Sequence, residues 1–193
     1  MHKGNITAEN PENGSGGQLS RFRIVAWTLG GLMLFVPLIA MQFTDEVNWD
    51  AADFVIFGVL IAGAGLVFEL ASGKTGNVAY KAGAGLALAA AFLMIWINGA
   101  VGIIGNESND ANLMYFGVLG VGVIGVLISR FKPKGMAYAL VATGVAQGLV
   151  FLIAWVAGWG FTGPITLFFL AFWLGAARLF QKAAHEESAS RSV

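Results

Sequence analysis

The run from Met136 to Gly158, MAYALVATGVAQGLVFLIAWVAG, contains no charged side chain. It is one of six apolar runs, at about 24–43, 54–72, 78–104, 113–130, 136–158 and 164–181. An α-helix rises about 1.5 Å per residue, so roughly 20 apolar residues cross a hydrocarbon core of about 30 Å. Inside lipid every backbone N–H and C=O must be bonded internally, which leaves helices and closed barrels. Barrel strands alternate apolar and polar residues; these runs are continuous. The expectation is therefore an all-α integral membrane protein with six transmembrane helices. Composition excludes the soluble alternative. The chain is 57% hydrophobic and 11% charged, against about 25% charged in soluble domains. Too few polar residues remain to cover a water-facing surface.

Three segments follow from the same pattern. Residues 1–20, polar and rich in Gly, Asn and Ser, read as a disordered cytoplasmic tail. Residues 21–182 form the six-helix membrane domain, and 183–193 a second cytoplasmic tail. The first run is longer than a signal-peptide core and no A-x-A site follows it, so it reads as a retained helix. Pro37 removes one ladder bond there and predicts a kink.

Charge sets the orientation. With the N-terminus inside, all eleven basic residues fall on the inner side: Lys3, Arg21, Arg23, Lys74, Lys81, Arg130, Lys132, Lys134, Arg178, Lys182 and Arg191. The outer side carries Asp45, Glu46, Asp50, Asp53, Glu107 and Asp110. This distribution obeys the positive-inside rule without exception. It places both termini in the cytoplasm and, with short loops, points to the cytoplasmic (inner) membrane of a bacterium. Trp49, Trp96, Tyr115, Trp155 and Trp159 then lie near outer ends, and Trp27, Tyr80 and Tyr138 near inner ends, as an aromatic belt would.

The chain also repeats itself. Residues 50–99 slide without a gap onto 109–158, an offset of 59 positions (Ala52 to Ala111). Matching pairs include Phe57/Phe116, Gly58/Gly117, Val59/Val118, Leu60/Leu119, Gly63/Gly122, Trp96/Trp155 and Gly99/Gly158. Helices two and three thus look duplicated as helices four and five. Both copies run out-to-in and then in-to-out, so the repeat is parallel rather than inverted. Asp53 and Asn112 precede the two copies as candidate helix N-caps, with Asp50 and Asn109 three residues earlier. Glycine suggests how the helices associate, because bare backbones approach closely in lipid. Gly58 and Gly63 on helix two, and Gly117 and Gly122 on helix four, predict tight packing of these two helices, on each other or on a partner.

Few residues carry chemistry. There is no cysteine, and His2 and His185 sit in the polar ends. Thiolate catalysis and cysteine-ligated clusters are excluded, and haem ligation by paired membrane histidines has no ligands. No catalytic constellation, metal site or cofactor motif is expected, and zero net charge argues against nucleic acid as a partner. The candidate intramembrane polar residues are Glu69, Asn98 and Gln147. Glu69 is costly in lipid unless paired, protonated or hydrated. It suits proton or cation coupling, or an interfacial pairing with Lys74, Lys81 or Arg178. Asn98 and Gln147 suit interhelical hydrogen bonds.

Two functional classes follow. One is a structural or accessory membrane protein, a homo-oligomer or subunit of a larger membrane complex. It predicts dense packing and no continuous polar pathway. The other is a small-solute or ion transporter or channel. It predicts that Glu69, Asn98 and Gln147 converge on one cavity near the midplane.

Overall fold

The computed structural model describes residues 24, 27–44, 48–73 and 75–190. The predicted tail 1–20 lies outside them, as do Asp45 and Glu46. The described residues are helical with no strand. Six helices follow one another: α1 (Trp27–Ala40), α2 (Ala51–Ser72), α3 (Val78–Ala100), α4 (Met114–Ser129), α5 (Pro133–Val156) and α6 (Gly163–Ser190). A 3-10 turn, Asp110–Leu113, leads into α4. Five of the six, α2 to α6, are long and apolar enough to cross a membrane. Their outer faces are apolar too: Ile128 is 77% exposed and Val156 85%. Such faces suit lipid and not water. The fold is that of a multi-pass helical membrane protein.

The chain divides into two compact units, Met1–Ala62 and Gly63–Val193. In the first, α1 spans about 21 Å by its described residues, shorter than a hydrocarbon core. It is interrupted by a turn at Leu34. The interruption sits three residues before Pro37, whose ring crowds the preceding turn and supplies no N–H. Gly30 lets α1 meet α2, since a Cβ there would lie 3.0 Å from Ile61. Trp49 packs edge-on against Phe54 and Phe57, with ring centroids 5.2 and 5.4 Å apart.

The second unit is a bundle in which α5 and α6 are central. α6 packs on α3 and α5, α5 packs on α4, and α3 touches α4 more lightly. The inward stripe of α6 is Thr166, Phe169, Trp173, Ala176, Ala177, Phe180 and Ala183, the three- and four-residue spacing of one helix face. Against it α3 presents small residues; a Cβ on Gly83 would stand 3.1 Å from the Phe180 ring. α4 reaches α5 through Gly122 and Gly125. A Cβ at Gly125 would lie 2.6 Å from the Ala139 Cβ, so only glycine allows this approach.

Of the glycines expected to pack α2 and α4 on each other or on a partner, Gly58, Gly63 and Gly117 have no atom of another described element within 4 Å of a Cβ built on them. The close contact of α4 is made to α5 by Gly122 and Gly125, because those two glycines, and not Gly117, face Thr143 and Ala139. The last helix continues past its apolar run to Ser190. QKAAHEES is rich in good helix formers, contains no Gly or Pro, and gains a Lys182–Glu186 pair at 3.9 Å.

The ends of this unit are chemically distinct. At one end Asn77 Nδ2 donates to Glu186 at 2.8 Å, and the Tyr80 hydroxyl donates to the Phe131 carbonyl at 3.1 Å. The α2–α3 loop, the α4–α5 turn and the far part of α6 therefore share an end, with Lys81, Arg130, Lys132, Lys134, Arg178 and Lys182. The α3–α4 loop and the α5–α6 loop share the other, with Glu107 and Asp110. The α4–α5 turn is tight. Arg130 and Phe131 have φ of 50° and 62°, a left-handed conformation that costs roughly 1–2 kcal/mol per non-glycine residue. Tyr80 holds the turn, and Pro133 opens α5 at a position where its missing N–H is not needed.

Candidate functional site

The polar side chains within the membrane region are held by different helices at different levels. Glu69 lies in the last turn of α2, half-buried, at the end that also carries Asn77. Its backbone carbonyl accepts from Gly73 N–H at 2.8 Å. A carboxylate near a helix C-terminus opposes the macrodipole, so Glu69 does not cap its own helix.

Asn98 lies in the last turn of α3, at the opposite end. About 20 residues of α3 separate it from Val78, or roughly 30 Å. Its Nδ2 donates to the Asn112 carbonyl at 3.1 Å. Asn112 is itself buried and ties down the α3–α4 loop. Its Oδ1 accepts from Ile103 and Ile104 N–H at 2.9 and 2.8 Å, and its Nδ2 donates to the Ile104 and Asn106 carbonyls at 3.2 and 2.7 Å. One amide thus satisfies four backbone groups of the α3–α4 loop. Ile104 is fully buried as a result. The loop turns at Gly102, with φ of 70°, where a Cβ would collide with the backbone of Asn106.

Gln147 lies midway along α5, fully buried. Its Oε1 accepts from the Trp173 indole N–H of α6 at 3.5 Å. One turn away, the Thr143 hydroxyl donates to its own helix at Ala139, at 2.9 Å. Glu69, Asn98 and Gln147 therefore occupy one end, the other end and the middle, and they do not meet in one cavity. Among the described residues, no three side chains of His, Cys, Asp or Glu come together as metal ligands.

The helix caps differ from the expected ones by one step. Asp50, not Asp53, caps α2: its Oδ1 accepts from Ala52 and Asp53 N–H at 2.7 and 3.0 Å. Asp53 sits in the first turn and accepts from Asp50 N–H at 3.0 Å, a reciprocal capping box. Asn109, not Asn112, begins the second copy, accepting from Ala111 N–H at 3.0 Å. The apolar runs begin at 54 and 113, but Ala51, Ala52 and the DANL turn are already helical, so the cap lies farther out.

Sequence reasoning placed Tyr80 and Tyr115 at the lipid interface. Both are buried inside the bundle, 2% and 1% exposed, while Tyr138 and Trp155 do face outward. A signal existed for Tyr80: it shares a three- and four-residue spacing with Gly83, Ala84, Ala90 and Met94. That stripe of mostly small residues is the packing side of α3. Comparison of the chain with protein-family models, curated proteins and solved structures finds no match.

Proposed function

We propose that this chain is a six-span protein of a bacterial cytoplasmic membrane, with both termini inside. Its role is structural or accessory, as a homo-oligomer or as a subunit of a larger membrane complex. The separation of Glu69, Asn98 and Gln147 onto three levels carries the second statement. The transporter class required the three to converge on one cavity near the midplane, whereas here Asn98 and Gln147 bond to neighbouring helices and loops. Interhelical bonds of this kind contribute about 0.6 kcal/mol each in lipid.

The orientation rests on charge. Six basic residues gather at the end of the second unit that carries Asn77, and Glu107 and Asp110 lie at the other, as the positive-inside rule requires. Duplication of the α2–α3 hairpin as α4–α5 is supported by the caps. Asp50 and Asn109, 59 positions apart, each accept from the N–H two residues on.

Native mass spectrometry from mild detergent, paired with flux assays in proteoliposomes, tests the role. The expected result is an assembly heavier than the 20.3 kDa chain and no proton or cation flux above empty vesicles. A monomer conducting a flux that Glu69→Gln abolishes would establish the transporter instead.

A further inference from the structure

The two ends of the bundle differ in how completely their buried polar groups are satisfied. At the Asn77 end the Tyr80 hydroxyl has the Phe131 carbonyl and a single buried oxygen, Ser72 Oγ, lacks a partner; midway along the bundle the Gln147 Nε2 also lacks one. At the opposite end four side-chain oxygens sealed from the surface have no hydrogen-bond partner: Asn98 Oδ1, Tyr115 Oη, Thr162 Oγ1 and Thr166 Oγ1. All four residues are more than nine-tenths buried.

They form one neighbourhood. Asn98 bonds to Asn112, and Tyr115 stands one helical turn beyond Asn112. The Tyr115 hydroxyl lies against the Thr162 side chain without reaching hydrogen-bond geometry. Thr166 follows Thr162 by one turn, its N–H on the Thr162 carbonyl at 2.9 Å. Beneath them Phe169 is fully buried and apolar. Above them lie two loops, 101–109 and 157–162. These contain every glycine of positive φ among the described residues: Gly102, Gly105, Gly158 and Gly160.

An unmade hydrogen bond in a dry interior is costly, and native structures rarely leave several in one place without water. The inventory here is three hydroxyls, each able to donate and accept, and one amide oxygen that only accepts. Water matches that set, because one molecule donates twice and accepts twice. No Asp, Glu, Lys or Arg joins the four, so nothing compensates an ion taken out of water. We propose that this end of the bundle is a water-binding site. Water enters beneath the two glycine-hinged loops, bonds Asn98, Tyr115, Thr162 and Thr166, and stops at Phe169. The site is a closed, dead-end pocket that water reaches from one side of the membrane, and it stands whether the protein is an accessory subunit or a transporter.

X-ray radiolytic labelling of the intact protein in lipid nanodiscs tests this, because hydroxyl radicals born from bound water oxidise the side chains beside it. Tyr115 and Tyr80 are equally buried, at opposite ends. With water bound only at the first, Tyr115 is oxidised at least about tenfold faster than Tyr80. Thr166→Val removes one partner without changing shape, and labelling of Tyr115 then falls severalfold. Equal, slow labelling of both tyrosines would contradict the site. So would a Thr166→Val protein that melts higher with Tyr115 labelling unchanged, since that marks a dry orphan hydroxyl. Stabilisation by sodium chloride over equal choline chloride, lost in Thr166→Val, would show a cation in place of water.

Discussion

The hairpins α2–α3 and α4–α5 share much of their sequence and pack differently. In the second, Gly125 of α4 faces Ala139 of α5 and Gly122 faces Thr143, so the two backbones nearly touch. At the corresponding positions of the first, Gly125 becomes Leu66 and Ala139 becomes Tyr80. Two large side chains cannot occupy the space of a glycine and an alanine. Leu66 is left 55% exposed, and Tyr80 turns toward α6. There its ring meets Phe180 edge-on at 5.0 Å and its hydroxyl holds Phe131. What α2 offers α3 instead is Phe68, whose ring would lie 3.4 Å from a Cβ on Gly85. A Gly–Ala pair thus goes with close packing in one hairpin, and a Leu–Tyr pair with looser packing in the other. The lesson is that identity along a helix does not preserve an interface unless the closest residues stay small.

The sharpest way to break this contrast is to write the first copy into the second. Gly125→Leu forces α4 off α5 and should destabilise the protein by about 3 kcal/mol or more, read as a lowered midpoint of SDS or thermal unfolding in detergent. The reciprocal Leu66→Gly, at an exposed site, should cost no more than about 1 kcal/mol of helix propensity. The counterparts Asn112 and Asp53 come next. Asn112→Ala removes four bonds to backbone and leaves buried groups bare, a loss of about 2–3 kcal/mol; hydrogen exchange of Ile103 and Ile104 should accelerate with it. Asp53→Ala removes one exposed bond and should cost under about 1 kcal/mol. Tyr80→Phe keeps the ring against Phe180 but frees the Phe131 carbonyl, a loss of about 1 kcal/mol. The smallest effect should separate the caps: Asp50→Ala and Asn109→Ala each lose about 0.5–1 kcal/mol, and equality of the two would support their common origin.

Much of this architecture was legible beforehand. The all-helical fold and its five long apolar helices followed from apolar length, because lipid permits no other use of such runs. Turn positions followed from the polar gaps between the apolar runs. Partner choice was not legible. Gly58, Gly63, Gly117 and Gly122 look alike along the chain, yet among the described residues only Gly122 of these four closely approaches another helix, because the face that matters is set by what stands opposite. The same holds for the candidate site. Residue type marked Glu69, Asn98 and Gln147 as unusual at depth, but type gives no level, and their separation emerges only when antiparallel helices are laid side by side. Tyr115, Thr162 and Thr166 carried no signal at all, since a hydroxyl near a helix end reads as an interface residue until its burial is known. The continuation of α6 to Ser190 lies beyond the apolar stretch, whose end marks the span and not the end of the helix.

The central claim is that the basic turns lie on the cytoplasmic face and the acidic loop outside. Single cysteines report it cleanly, because the chain contains none of its own. Gly76 is exposed with open space for a side chain among the described residues, and Glu107 is exposed at the other end of the bundle. Neither substitution removes a basic residue. In sealed cells an impermeant maleimide should label Glu107→Cys and leave Gly76→Cys untouched until the membrane is opened. Labelling of Gly76→Cys from outside, with Glu107→Cys protected, would contradict the account.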